Sequence, residues 1–422
     1  MVQAFAYSTL ALTVTLAVSR PRIGLRVRFS PGSAALLGVL LLLLSRLLTL
    51  HDLVTSAQIQ WRPLLSLTCI MVMTGVVQEV GAFERLACRI EAYARATSTA
   101  RAFTVVFALA LVVPSLLNND SAILLLTPLV VALTRRLHPR QPRLTEAFAF
   151  AVFLAPGVAP LVVSNPMNMI VAQYAGVGFN AYAAVMAPIS LAGALVTYLV
   201  LRLCFKKLLA TPLAAAPPVD LAPRHPAERP ALALLLVVFL AYPITVALGG
   251  QIWMVTLGGA VASLLLARHH DVAPARKLAG HVSVDILVFF WGVFLVVVGL
   301  QHVGVVDRLT ALYQSAPAGS AAQLGLIGVS SALGSAVIDN HPMALLNMMA
   351  LGAHGNSRPL LAALVGGDIG PRLLPIGSLA GLLWMDLLRK SGVRIGVGRF
   401  VQLGTLVLIP TLALSLVLLA FG

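Results

Sequence analysis

The sequence predicts an all-α polytopic membrane protein: two inverted-topology repeats, each with a re-entrant hairpin and a broken transmembrane helix, plus scaffold helices. The first observation is composition. Of 422 residues, 59% are hydrophobic and only 10% are charged, whereas a soluble domain carries about 25% charged residues. The second is that many apolar runs reach the roughly 20 residues that a spanning helix needs. The third is that polar interruptions of these runs recur about half a chain length apart.

The charge distribution predicts the topology. The net charge of +15 does not indicate nucleic-acid binding, because the lysines and arginines lie in short linkers between apolar runs, where they mark the cytoplasmic side. Linker 19–33 carries four arginines and no acid, so we expect it in the cytoplasm. Residues 2–18 are then a retained first helix with its N-terminus outside. The predicted location is the cell inner (plasma) membrane, multi-pass, with both termini outside the cytoplasm.

The first half continues with helices 34–50 and 63–81, joined by an outer linker over 51–62. Stretch 102–134 has basic flanks on both sides, so it enters and leaves from the cytoplasm. Its 33 residues supply about 50 Å of helix, less than two crossings of about 30 Å. We therefore predict a re-entrant hairpin with a polar tip at 118–120, although length alone leaves a tight two-span hairpin open.

A broken helix follows over 146–174, interrupted by the polar sequence VVSNPMNM, and helix 182–203 returns to the cytoplasm. The basic, proline-rich linker 206–230 then divides the chain. It separates a first repeat over 1–205 from a second repeat over 231–422.

The second half repeats this order with opposite orientation. Its predicted elements are helices 231–248, 252–267 and 284–303, a hairpin over 321–352, a broken helix over 359–388 and a last helix over 400–420. The hairpin tip reads IDNHPM, and the broken helix is interrupted by GDIGPRLLPIGSL. Asn119 and Asn340 are 221 positions apart, and Asn165 and Ser378 are 213 apart. An inverted repeat explains both intervals.

The polar interruptions predict a solute site, because unwound backbone inside a membrane is tolerated where it lines a cavity. Each interruption precedes a helical half whose N-terminus offers free N–H groups. Asparagine and serine supply both donors and acceptors, which suits a small hydroxylated solute that is uncharged or weakly anionic. The residues are Asn118, Asn119, Asp120, Asn165, Asn340, His341, Gly377 and Ser378. The competing interpretation is that these residues only cap and kink helices.

Titratable groups at the tips predict coupling to protons. Asp120 is a carboxylate in an apolar stretch, where a low dielectric favours proton uptake. Asp339 and His341 form a second titratable tip, since histidine switches near neutral pH. Asp368 and Arg372 lie four positions apart and are expected to form an ion pair.

Three segments resemble the arsenite efflux permease family, arsenite/antimonite:proton antiporters of the ion-transporter superfamily. They are GDIGPRLLPIGSLAGLLWMDLLRKSGVRIGVGRF after the second hairpin, NNDSAILLLTPLVVAL at the first hairpin and LVVSNPMNMIVAQYAGVGFNAYAAVMAP at the first broken helix. The resemblance covers nearly the whole chain. It implies a secondary transporter, not an enzyme, that exports arsenite and antimonite in exchange for protons by alternating access.

The resemblance also implies site residues and partners. The positions that match the family place Ser164 and Asn168 beside Asn119, Asp120 and Asn165 in one half-site. Asn340, Pro342, Gly377 and Ser378 form the other, with Asp368 and Arg372 nearby. No cofactor, metal or nucleic acid is implied. The expected partners are arsenite or antimonite, protons, membrane lipid and a soluble arsenite-stimulated ATPase on the cytoplasmic face.

The chain departs from the family pattern at the second tip, where Asp339-Asn340-His341-Pro342 replaces Asn-Asn-Met-Pro. Two related activities stay open. One is a sodium/proton antiporter, which the titratable tips favour. The other is a sodium-coupled anion symporter; such proteins usually carry Ser-Asn-Thr at both tips, and neither tip of this chain does. An intramembrane aspartyl protease is disfavoured, because Val365 stands where its Gly-x-Gly-Asp motif needs glycine.

Overall fold

The computed structural model describes residues 2–19, 21–23, 27–116, 119–138, 141–211, 223–352 and 357–422. Within these ranges the regular secondary structure is helical apart from one antiparallel ladder, in which β1 (Arg22–Ile23) pairs with β2 (Val27–Arg28). Seven stretches of helix in the described chain are long and apolar enough to cross a membrane. The predicted all-α class is confirmed.

The first half contains the predicted apolar helices together with two further helices. They are α1 (Val2–Ser19), α2 (Pro31–Leu44), α3 (Leu50–Glu79), α4 (Ala82–Ala96), α5 (Thr99–Leu116), α6 (Asn119–Leu137), α7 (Pro142–Leu154), α8 (Pro166–Tyr174), α9 (Phe179–Cys204) and α10 (Lys206–Leu209). The two that the sequence analysis does not predict are α4 and α10. A 3-10 turn, Val162–Ser164, lies between α7 and α8. The predicted broken helix is therefore two helices with irregular backbone between them.

The second half has the same order of elements. They are α11 (Glu228–Ala247), α12 (Ile252–His269), α13 (Ala275–Ala279), α14 (Val284–Gln301), α15 (Val305–Gln314), α16 (Ala321–Ile338), α17 (Asn340–Leu351), α18 (Arg358–Ile369), α19 (Leu379–Lys390) and α20 (Val397–Phe421). Two 3-10 turns, Gly370–Arg372 and Pro375–Gly377, separate α18 from α19.

Contacts between the halves are reciprocal. Helix α2 packs along α14, and its counterpart α12 packs along α3, the counterpart of α14. Helix α1 packs on α2 as α11 packs on α12, and the equivalent helices α9 and α20 pack on each other. Reciprocal packing of this kind is expected of two copies that are related by a two-fold axis. The repeat boundaries and the opposite orientations in the membrane stay predictions.

One predicted linker is wrong. Residues 51–62 are part of α3, a helix of 30 residues and therefore about 45 Å long. Thr49 caps its N-terminus by accepting from the Asp52 backbone N–H, while the Asp52 side chain accepts from the Thr49 backbone N–H. This reciprocal capping box starts the helix well before the apolar stretch.

The two predicted hairpins are the pairs α5–α6 and α16–α17. Helix α16 has 18 residues but α17 has only 12, and 12 residues extend about 18 Å. Helix α17 is thus too short to cross about 30 Å of hydrocarbon, which favours a re-entrant second hairpin. At the first tip, Asn118 lies outside the described residues, as does 212–222 of the central linker.

Candidate functional site

A cavity of about 50 Å³ lies where all four interruptions meet. The residues that line it come from the start of α6, the break before α8, the start of α17 and the break before α19: Asn119, Ile123, Phe153, Pro156, Asn165, Asn340, His341, Asp368, Pro371, Arg372, Ser378 and Ala380. Since a water needs about 10–15 Å³ by this measure, the cavity holds a few waters or one very small solute.

Crosswise packing brings these ends together. Helix α6 of the first hairpin packs on α19 of the second broken helix, and α17 of the second hairpin packs on α8 of the first. Each half therefore contributes one hairpin tip and one break to the same cavity. Four residues that were predicted from separate stretches of sequence all line this cavity: Asn119, Asn165, Asn340 and Ser378.

The helical halves begin with polar caps. The Asn165 side chain accepts from the Met167 backbone N–H at 3.1 Å, and Pro166 occupies the first helical position, which needs no donor. Ser378 accepts from the Gly381 backbone N–H at 3.0 Å. At α17 the cap is Asp339 and not Asn340. These side chains fix where each helix starts, and hence where its positive dipole end lies.

Asp368 joins the two broken helices. Its Oδ1 accepts from Asn165 Nδ2 at 2.9 Å, and its Oδ2 accepts from Asn168 Nδ2 and the Ala159 backbone N–H, also at 2.9 Å. Tyr182 Oη closes the network by accepting from Asn168 Nδ2 at 2.8 Å and donating to the Ala159 carbonyl at 3.0 Å. A carboxylate can only accept hydrogen bonds, and these three donors give both oxygens of Asp368 a partner.

Arg372 connects the second broken helix to the end of α7 in the first half. It is 2% exposed, donates from Nη2 to the Leu154 carbonyl at 2.6 Å and from Nη1 to Thr411 Oγ1 at 3.0 Å. Leu154 ends α7, so the guanidinium lies at the negative end of that helix. The expected direct ion pair with Asp368 is not formed, because each side chain binds the first half separately. The Nε atom of Arg372 is buried and has no partner among the described residues.

Asp339 and His341 form a dyad at the second tip. Asp339 is 2% exposed and adopts a positive φ of 78°, a left-handed conformation that is costly for a side chain other than glycine and is often found at functional sites. Its Oδ1 accepts from the His341 backbone N–H at 2.9 Å and from His341 Nδ1 at 2.7 Å. A carboxylate only accepts, so Nδ1 carries a proton. Nε2 is then the ring atom free to exchange one.

Aromatic rings hold the His341 imidazole in place. The Phe290 ring centroid lies 4.6 Å from that of His341, and the Phe289 centroid lies 5.9 Å away. Both phenylalanines belong to α14 and are buried. The imidazole therefore has an apolar wall behind it while it lines the central cavity.

Other predicted residues are placed around the cavity rather than on it. Ser164 is buried and donates to the Ser115 carbonyl at 2.9 Å. At Gly377 an added Cβ would lie 2.9 Å from Pro371 Cα and 3.0 Å from Ala336 Cα, so this glycine allows two backbone segments to approach. Asp120 is in the first turn of α6, where its side chain is outside the described residues. The binding and coupling roles of all these residues stay predictions.

Three residues of the site carry no signal that the sequence analysis used. Tyr182 lies inside the apolar helix α9, Thr411 inside α20 and Phe290 inside α14. Each helix contains other polar or aromatic residues as well, so only the three-dimensional neighbours of these three distinguish them.

Soft ligands are not grouped near the cavity. Among the described residues, no three His, Cys, Asp or Glu side chains are arranged to hold a metal ion. Cys69 is buried, Cys88 is partly exposed and Cys204 is exposed. None of the three lines the central cavity. The polar groups on its wall are amides, a hydroxyl, a carboxylate, an imidazole and a guanidinium.

Comparisons with known proteins identify relatives over nearly the whole chain. The family model described as ArsB, arsenical pump membrane protein, matches residues 5–421. An arsenical pump membrane protein of Escherichia coli is 30% identical over 424 residues, covering 97% of this chain and 96% of its own. One of Yersinia enterocolitica is 29% identical over 433 residues, covering 98% of both chains.

A solved structure shares the fold. The Alcanivorax borkumensis YdaH transporter, described as having an unusual topology, superposes with a TM-score of 0.58. The alignment covers 99% of this chain and 96% of that one at 18% identity. The similarity therefore extends over nearly the whole fold.

Proposed function

Because this chain belongs to the ArsB family of arsenical pump membrane proteins, we propose that it exports arsenite and antimonite from the cytoplasm in exchange for protons. The observation that supports this function is the cavity at which two hairpin tips and the breaks of two broken helices meet, with polar groups from all four on its wall. Alternating access of this cavity to the two sides of an inner membrane would move the solute. Both termini are proposed to lie outside the cytoplasm.

The chemistry of the cavity suits a neutral trihydroxide such as arsenite near neutral pH. The cavity wall offers amide and hydroxyl groups from Asn119, Asn165 and Ser378. Asn340 Oδ1 is buried and has no partner among the described residues. An unpaired buried acceptor is costly, so a solute hydroxyl or a water is expected to donate to it.

Protons are proposed to move through the two hairpin tips. Asp120 at the first tip is the predicted carrier, and the Asp339–His341 dyad provides a second. Because Asp339 orients the imidazole through Nδ1, His341 can take up a proton on Nε2 without moving. Binding of a soluble arsenite-stimulated ATPase is a separate expectation, and the proton mechanism does not depend on it.

Transport in everted membrane vesicles tests the proposal. With an acid-inside pH gradient, the wild type should accumulate arsenite, whereas Asp120→Asn and His341→Gln should lose most of this uptake. Both variants should retain arsenite–arsenite exchange, since exchange needs no net proton movement. His270→Gln, in a partly exposed turn away from the cavity wall, is the matched control and should behave as the wild type.

The outcomes separate the competing functions. Full pH-driven uptake in both variants would show that Asp120 and His341 do not carry the coupled proton. Uptake driven by a sodium gradient but not by a pH gradient would favour sodium-coupled symport. Proton efflux on addition of sodium, without arsenite movement, would identify a sodium/proton antiporter.

A further inference from the structure

A second cavity, of about 260 Å³, lies at the ends of α6 and α19, away from the central site. Arginines from three separate segments line it: Arg135 at the end of α6, Arg143 at the start of α7, and Arg394 in the loop between α19 and α20. The sequence predicts that these chain ends lie on the cytoplasmic side. The positive-inside rule explains why arginines are found there, but it does not explain why three of them face one cavity.

The positive charge of this cavity is not balanced by the protein. Glu146 is the one acid on its wall, and its carboxylate pairs with Arg399 at 2.7 Å. In the described chain no carboxylate lies within 4.0 Å of the guanidinium groups of Arg135, Arg143 or Arg394. Like charges around a shared space repel, so an anion bound between them would be stabilising.

Neighbouring groups shape the cavity without adding charge. Burial lowers the pKa of His138, so this wall residue is neutral near pH 7. Its Nε2 lies 2.9 Å from Thr99 Oγ1, which donates to the Thr211 carbonyl at 2.8 Å. Nε2 therefore donates to Thr99, which fixes the ring. The remaining charged groups are guanidiniums, which bind phosphate oxygens through paired N–H donors.

The cavity also lies on the seam between the two halves. Arg135 of the first half donates from Nη2 to the Ser391 carbonyl of the second. Arg143 belongs to the first half and Arg394 to the second, so an anion held by both would connect them. In the crosswise packing, α6 and α19 are the helices that this seam joins.

We propose that this cavity binds the phosphate group of an anionic phospholipid from the cytoplasmic leaflet. The cavity is large enough for a phosphate with part of its glycerol headgroup. We expect its place at the ends of α6 and α19, where the predicted basic flanks leave the membrane, to be at the depth of lipid phosphates. A bound lipid would stabilise the contact between a hairpin of one half and a broken helix of the other. Soluble phosphate offers the same chemistry, and the melting experiment distinguishes it from a phospholipid.

Ligand-dependent melting of the purified chain in neutral detergent tests the site. Short-chain phosphatidylglycerol should raise the melting temperature of the wild type, because a ligand that binds only the folded state stabilises it. Phosphatidylcholine, with a net-neutral headgroup, should have little effect. The double variant Arg143→Gln/Arg394→Gln should need at least about ten times more phosphatidylglycerol for the same rise, since it loses two charge-assisted contacts.

The control removes equal charge from the same predicted side. Arg268→Gln/Arg276→Gln changes two exposed arginines outside the cavity and should respond as the wild type does. If inorganic phosphate protects as well as phosphatidylglycerol, the ligand is a free phosphate and the lipid assignment is wrong. If the control pair loses as much response as the cavity pair, or neither loses any, the cavity is not a specific site.

Discussion

Asp368 and Arg372 are only four positions apart, yet each binds the other half of the molecule independently. The carboxylate receives three N–H donors from the break before α8 and from the first turn of α8, and the guanidinium caps the last carbonyl of α7. Together they bracket the interruption of the first broken helix from both ends. The charge of each is thus used to hold irregular backbone rather than to neutralise its neighbour.

Replacing Asp368 by Asn should lower both transport and stability. The amide nitrogen of Asn would face N–H donors, so at least one of the three hydrogen bonds would be lost. Hydrogen bonds to charged groups are worth about 1.5–3 kcal/mol, and a loss of that order in the free energy of unfolding is expected from thermal denaturation. Arsenite uptake in vesicles should fall at least tenfold.

The matched control for that change is Asp386→Asn. Asp386 lies on α19 and pairs with Arg389 and Lys390 on one partly exposed surface. Exposed pairs of this kind contribute little, so the control should be close to the wild type. Equal losses in the two variants would show that the Asp368 network has no special role.

At the scale of elements, the second break depends on close backbone approach. Gly377→Ala would place a Cβ 2.9 Å from Pro371 Cα and 3.0 Å from Ala336 Cα, and neither backbone atom can yield as a side chain can. We expect a loss of about 1–3 kcal/mol from overpacking, measured as a lower melting temperature. Gly325→Ala, in α16 with no atom from outside the adjacent helix backbone within 4 Å of its added Cβ, should be neutral or stabilising because alanine favours helix. A destabilised Gly325→Ala with an unaffected Gly377→Ala would contradict this account.

The interruptions could be predicted from sequence because polar residues in long apolar runs have few structural explanations. Asn165 and Ser378 were identifiable as starts of helical halves, since a polar cap followed by an apolar run is a local signal. The extent of α3 was not, because His51, Asp52 and Arg62 resemble a linker although a capping box at Thr49 begins the helix. The partners of Asp368 also could not be predicted, because they lie 200 or more positions away and no local pattern specifies them.

At the scale of the whole molecule, reciprocal packing of the halves predicts opposite accessibility of their equivalent loops. Ala96 at the end of α4 and Ala318 before α16 are both exposed and precede the first and second hairpins. In a variant with its three cysteines replaced, Ala96→Cys should react with a membrane-impermeant thiol reagent only in everted vesicles. Ala318→Cys should react only in intact cells or right-side-out vesicles. Labelling of both from one side would contradict the inverted topology.

The bonds between Asp368 and the first broken helix also constrain how the chain is made. The amide groups of Asn165 and Asn168 emerge from the ribosome long before their acceptor, which follows Asn168 by 200 residues. At about 5–20 residues per second, this interval lasts about 10–40 s. Throughout that time the two amides lack their carboxylate acceptor, so we expect the nascent protein to be most vulnerable to degradation until Asp368, close to the end of the 422-residue chain, has been translated.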